Sequence, residues 1–356
     1  MFKITSKVVS RLSLSVFTAA VAAFLILAAP QTVLAAEFIL KVAIFPTDEI
    51  HHEFGRKFEQ RLEEVTNGRI DVQLYPGHSL GGIGEMVDGV QVGTIEMSML
   101  PPGFFKGVDP RYQVTDVPGL FDDIAHISRA LSCPGFRDDF MWMTQDKGMI
   151  GVAIFDYGPT AYASIEPIRT LKDFKGKKIR VLATDVERAV IDEFGGTGIP
   201  MPMGDAIPGL QRKQIDGIRS TIVVLAALKF YDVAKYITLV EDTHIPDMAM
   251  LSKKFYDSLP ADLQKAVLDV GAELERYMED VVLRYDRRAA NLWRSKGGEV
   301  IRLSTKDRNE FMERTAKIGD RIMGEDPKLA PMYNKLKECA RITRLTDHEN
   351  KKGSGL

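Results

Sequence analysis

The residue types that could do chemistry in this chain are histidines, cysteines and clustered glycines, and their spacing assembles no reaction centre. His51-His52-Glu53 has the ingredients of a zinc helix, but the second His four residues on is missing and Lys57 lies nearby. Gly81-Gly82-Ile83-Gly84 follows a strand pattern and opens a helix pattern, as a dinucleotide loop would. It lacks the full glycine spacing and an acidic residue closing a following strand, so it reads as a tight turn. Gly195-Gly196-Thr197-Gly198 sits where a helix should end and reads as a C-cap. His78, His126, His244 and His348 are scattered singly, and Met141-Trp142-Met143 reads as a packed turn. There is no phosphate-binding Gly-rich loop ending in Gly-Lys-Ser/Thr and no Gly-x-Ser-x-Gly elbow. Two cysteines, Cys133 and Cys339, are too few for a disulfide scaffold or a cysteine metal site. No catalytic residue, metal or cofactor is expected.

The elements around these residues belong to an exported protein. Lys3, Lys7 and Arg11 precede an apolar run from Val16 to Ala29, and Val33-Leu34-Ala35-Ala36 offers small residues for cleavage. The apolar part is about 14 residues, short of the roughly 20 that span a bilayer, so residues 1–36 read as a signal peptide and not as an anchor. Without the three basic residues of that leader, 44 basic side chains face 49 acidic ones, which offers no basic stripe for nucleic acid. Export lets Cys133 and Cys339 oxidise. Separate burial as core residues is the simpler expectation, because nothing in the sequence brings them together.

Strand and helix patterns alternate. Phe38–Phe45, Ile70–Tyr75 and Ile95–Leu100 read as strands, with helices at Ile50–Thr66 and Ile83–Val92 between them. The same grammar returns with strands at Gly151–Phe155, Lys178–Val181 and Ile218–Val224, and helices near Thr184–Phe194 and Asp205–Lys213. The order argues for two α/β units with mainly parallel pairing. From Asp262 to Ser295 a helical apolar stripe persists, a rod of about 50 Å that would brace both units. The last residues, His348–Leu356, read as a polar frayed tail.

One family fits most of these pieces in order. Thr66-Asn67-Gly68-Arg69-Ile70, Leu74-Tyr75-Pro76, Gly89-x-x-x-Gly93-Thr94-Ile95-Glu96-Met97 and Leu171-Lys172-Asp173-Phe174-Lys175-Gly176-Lys177-Lys178-Ile179-Arg180-Val181 are joined by Asp216-Gly217, Phe230–Tyr236 and Leu259–Gln264. Spread over residues 38–300, they resemble the DctP-like solute receptors of tripartite ATP-independent periplasmic (TRAP) transporters. The resemblance implies a periplasmic binding protein-like fold: two α/β domains with a ligand cleft between them, braced by the long helix. Residues 37–157 plus about 246–285 would form domain I, residues 158–245 plus about 286–345 domain II, and 346–356 the tail. It also implies that Arg180 grips a ligand carboxylate, for which a planar guanidinium supplies two parallel donors.

Around Arg180 the aligned family pattern puts Phe45, Pro101, Tyr157, Thr160 and Met203 near the cleft, with Ser220 where relatives carry an Asn. Arg219 has no counterpart in the pattern: it is a second cation for the ligand or the answer to an acidic neighbour. The mostly apolar set suits an aromatic or aliphatic monocarboxylate better than a polyhydroxylated sugar acid. The expected partners are a small organic acid and the membrane subunits of a TRAP permease, with no nucleic acid and no span of its own. A periplasmic enzyme acting on a carboxylate, or a receptor serving a sensor protein, are the rival readings.

Overall fold

The structure is a computed structural model and describes residues 36–45, 49–77, 79–182 and 184–353. Residues 1–35 of the leader, Pro46 and His78 lie outside them, as does the His348 side chain. The first half runs β1 (Phe38–Ile44), α1 (Ile50–Thr66), β2 (Ile70–Pro76), α2 (Ile83–Val92), β3 (Met97–Leu100), α3 (Ile124–Leu131) and α4 (Pro134–Trp142). Glu49 caps α1 by accepting from the His51 amide, and Asn67 ends it at φ 53°, so the helix turns Phe54, Phe58 and Leu62 into the core. The chain continues through β4 (Met149–Ser164), β5 (Lys178–Val181), α5 (Asp185–Glu193), β6 (Thr197–Pro200), α6 (Met203–Gln211), β7 (Gly217–Thr221) and α7 (Ile222–Ala227). It closes with β8 (Tyr236–Ser252), α8 (Lys253–Ser258), α9 (Ala261–Ser295), β9 (Glu299–Arg302), α10 (Thr305–Gly319) and α11 (Ala330–Gly353).

Among the described residues, one nine-stranded sheet runs through both α/β units in the order β2-β1-β3-β8-β4-β7-β5-β6, with β9 beside β8. The β1–β2, β1–β3, β5–β6 and β5–β7 pairs are parallel, as expected. The β3–β8, β4–β7 and β4–β8 pairs are antiparallel, so the sheet is mixed and not mainly parallel at its centre. Strands β4 and β8, 16 and 17 residues long, join the two halves. Their register slips between Asp156 and Pro159 and again between Pro159 and Ala161. Gly158 at φ 117° and Glu241 at φ 55° take left-handed backbone beside those slips. Bulges there bend both crossing strands at the junction of the halves.

The long helix α9 does brace the sheet. A Cβ on Gly271 would lie 2.4 Å from the Val152 carbonyl oxygen, so only glycine lets the helix press this closely on β4. One turn on, the buried Glu275 carboxylate accepts from the Ile154 amide at 3.0 Å and pairs with Arg137 at 2.7 Å. It thereby satisfies an amide beside the β4 slip between Gly151 and Ala153. At its far end, Trp293 donates to the Lys235 carbonyl and meets Tyr231 edge-on. Cys133 and Cys339 are bonded to each other, Cα–Cα 5.9 Å across 206 residues of sequence, against the expectation of separate burial. The bond ties the turn before α4 to α11. Closing so long a loop stabilises by on the order of 5 kcal/mol in the chain-entropy account. Helix α11 continues to Gly353, through most of the stretch expected to fray.

Candidate functional site

Where the two halves face each other lies a cleft of about 900 Å³. Gly82 with Ile83 and Val87 of α2, Phe104 and Val108 line one wall, and Leu182, Met201 and Met203 line the other. Beneath it, sharing Phe45, Ile83, Phe104, Leu182 and Met203, a chamber of about 30 Å³ reaches the sheet. The chamber lining has nine apolar side chains and four polar ones: His51, Tyr157, Ser220 and Thr221. Three of those four are already engaged. The Tyr157 hydroxyl donates to Glu49. Both His51 nitrogens sit 2.8 Å from carboxylate oxygens, and the Thr221 hydroxyl caps α7 by accepting from the Val224 amide.

Five of the eight residues expected at the site line this cavity. Phe45 follows β1, Pro101 follows β3, Tyr157 lies within the first slip of β4, Met203 opens α6 and Ser220 lies on β7. The other three are not in the lining. Thr160 donates to Asp242 Oδ1 at 2.6 Å and accepts from the Thr243 amide at 3.2 Å, which pins the bend in β8. Arg219 donates through Nε to the Tyr162 hydroxyl at 3.2 Å, through Nη1 to Glu187, and through Nη2 to Asp242 at 3.1 Å. Of the two roles open to it, Arg219 is placed in the one with acidic neighbours. The pleat explains this: Ser220 lines the chamber, and adjacent residues of a strand point to opposite faces.

Arg180 is only 1% exposed. It lies on β5 in register with Ile218 of β7, which puts it on the same sheet face as Ser220, two residues further along. Its Nε donates to the Met201 carbonyl at 2.8 Å, and its Nη2 has no hydrogen-bond partner. Burial lowers its pKa to about 10, with Glu187 opposing the shift. A buried guanidinium in this state holds a donor that the fold leaves without a partner.

Sequence reasoning missed a second buried cluster. His51, set aside as an incomplete metal motif, forms the chamber floor between Glu49 and Asp247. Its ring lies 4.3 Å from that of Tyr157. Burial disfavours its charge, but Asp247 and Glu49 outweigh that and lift its pKa to about 10, so it is an imidazolium at neutral pH. Asp247 sits on β8, a strand the sequence patterns did not reveal, so no spacing rule could have paired it with His51. At the β4 bulge a third pair forms, with His244 Nδ1 2.9 Å from Asp156 Oδ2. Among the described residues no group of three or more His, Cys, Asp or Glu side chains could hold a metal ion. No helix among them is long and apolar enough to cross a membrane.

The arrangement is a buried guanidinium near an apolar cleft, with two bent strands crossing between the halves, and comparisons with known proteins bear on the fold that carries it. The family model of bacterial extracellular solute-binding protein, family 7 (DctP), matches residues 42–326. The 2,3-diketo-L-gulonate-binding periplasmic protein YiaO of Escherichia coli K12 is 29% identical over 289 residues, covering 81% of this chain and 87% of that protein. A TRAP periplasmic solute-binding protein from Xanthobacter autotrophicus Py2, solved with bound β-D-galacturonate, superposes with a TM-score of 0.76 at 27% identity, covering 84% of this chain and 99% of that one. Another from Desulfovibrio salexigens, solved with bound orotic acid, gives 0.80 at 24% identity over 85% and 99%, a likeness of fold alone. These are transport receptors and not enzymes, and the chain belongs to bacterial extracellular solute-binding protein family 7, the DctP-type periplasmic receptors of TRAP transporters.

Proposed function

We propose that this receptor captures an organic acid with one carboxylate, aromatic or aliphatic, and hands it to the membrane subunits of a TRAP permease by closing its cleft. The observation that carries the reading is Arg180: a buried guanidinium with an unpartnered donor, on the sheet face that lines the cavity. A carboxylate there gains charge-assisted hydrogen bonds in a medium that strengthens them. Relatives bind sugar acids, as the names of YiaO and the Xanthobacter complex state. In this chain the chamber offers a sugar few partners, because the His51, Tyr157 and Thr221 groups are engaged and Ser220 supplies one hydroxyl. Each unmatched hydroxyl would cost about 1–3 kcal/mol. Closure turns on the bulges of β4 and β8, with residues 37–157 and 246–285 moving against 158–245 and 286–345. The permease reads the closed form from the outer faces of both lobes.

A thermal-shift screen against aromatic, aliphatic, keto and sugar acids tests this. At 100 times its dissociation constant a ligand stabilises by about 2.7 kcal/mol. A hit among the aromatic or aliphatic acids that disappears in Arg180→Gln supports the reading. A hit confined to sugar acids overturns its ligand class, and a hit that survives the substitution overturns the role of Arg180.

A further inference from the structure

Behind the cleft, one carboxyl is left over from the ion pairing. Asp116, on the segment that follows β3, is 6% exposed, and its Oδ2 has no hydrogen-bond partner. It packs where Gly103, Leu182 and Thr184 meet: a Cβ built on Gly103 would lie 3.0 Å from that oxygen, 2.8 Å from Leu182 and 3.2 Å from Thr184. Leu182 is also a wall of the cavity. The groups that set its electrostatics come from several elements. From α5 comes the Glu187 carboxylate, from β7 the Arg219 guanidinium, and the hydroxyls of Thr184 and Thr115 face it. Behind Arg219 stand Asp242 of β8 and the Tyr162 hydroxyl of β4. Arg180 of β5 feels Glu187 from the cavity side.

Three buried carboxyls thus share one fully engaged guanidinium and one that faces the ligand. Arg219 is committed to Glu187 and Asp242, and its two ion pairs use up the nearest positive charge. A third ionised carboxyl would add an uncompensated charge in a buried site. We propose that Asp116 is the proton site that couples anion capture to pH. This rests on the reading of Arg180 as the cation for the ligand. A carboxylate docked on Arg180 offsets the positive charge that Glu187 feels from the cavity side, which leaves the cluster more negative, so Asp116 takes up a proton from solvent. Linkage makes the effect reciprocal: protonated Asp116 favours the bound anion, and ionised Asp116 opposes it. The electrostatics of the free protein already lean this way, because burial and then Glu187 push the Asp116 carboxyl up to about 7.

The test uses the mature protein with benzoate and hexanoate as probes, followed by calorimetry between about pH 6 and about pH 8. Wild-type affinity is expected to fall with rising pH, approaching tenfold per unit above about 7, with proton uptake on binding seen by changing the buffer's ionisation enthalpy. Asp116→Asn imitates the protonated acid, so it should bind equally tightly at every pH and take up no proton. A His244→Gln variant should keep the wild-type slope, which separates Asp116 from the histidine pair at the β4 bulge. Infrared difference spectra of wild type against Asp116→Asn read the protonated carboxyl directly, whether or not the variant binds. Probe binding that is flat with pH in the wild type, or an Asp116 ionised throughout the range, overturns the proposal and leaves the receptor reading intact. No binding of either acid at any pH sinks both.

Discussion

Arg180 and Arg219 are buried to within a percentage point of each other, on strands that pair directly, and their surroundings make them opposites. Arg219 spends its donors on a tyrosine hydroxyl and two carboxylates. Its electrostatics follow: burial works against the charge, Asp242, Tyr162 and Glu187 outweigh it, and the pKa rises well above the usual arginine value. Arg180 has one backbone carbonyl and no ion pair of its own, so burial wins and its pKa falls to about 10. Burial alone therefore does not identify a ligand cation. A buried charge that the fold has already neutralised is architecture, and one the fold has left short is where a charged ligand is accommodated.

The largest expected effect breaks the Arg219 side. Arg219→Met strands Glu187 and Asp242 as buried carboxylates without a cation, and should cost about 3–5 kcal/mol of stability in urea unfolding. Arg180→Met should do the reverse: stability unchanged or slightly raised, and affinity for the acid lowered by at least about 2 kcal/mol, some thirtyfold. If the Met variants behaved alike in both assays, the division between the two arginines would be wrong.

The distinction was only partly open to sequence reading. Helices α1 and α2 and strand β5 were legible to the residue, because their caps and apolar spacing are local. Arg180 was singled out too, by the motif around it. Strand β8 was not. Its run Glu241-Asp242-Thr243-His244 and then Pro246-Asp247 reads as a polar loop, and becomes a buried strand only because Arg219, Thr160, Asp156 and His51 lie opposite to pair those groups. Those partners are 23 to 196 residues away, too far for any local pattern. Strand β6 was hidden for a simpler reason, since four residues after Gly195-Gly196 look like the end of a cap. Ile222–Val224 read as a strand because the residues are β-branched. Thr221 caps a helix there instead, accepting from the Val224 amide.

The His51 cluster offers a check on the same rule from the other sheet half. Its cation is fully paired, so it should behave as Arg219 does, in stability more than in binding. The folded pKa of about 10 lies above the unfolded value of 6.5, so its contribution is complete below about pH 6.5 and is lost as pH rises toward 10. Wild-type stability should decline over that window. His51→Gln, less stable at neutral pH, should show a shallower decline, and a parallel pair of curves would remove His51 from the account.

The smallest effect comes from the neighbour of Arg219 on the same strand. Ser220 is buried to 8% exposure, lines the chamber, and has a hydroxyl able to donate and accept once. Ser220→Ala removes one neutral hydrogen-bonding group and leaves no charge behind. Stability should stay within about 0.5 kcal/mol, and affinity for the acid should fall by about 0.5–1.5 kcal/mol, roughly two- to tenfold. One position along the strand thus separates a change felt in folding from one felt in capture, because the pleat turns one side chain to the ion network and the next to the cavity. A Ser220→Ala protein that binds every acid as the wild type does would mean that the ligand contacts this strand only through its apolar surface.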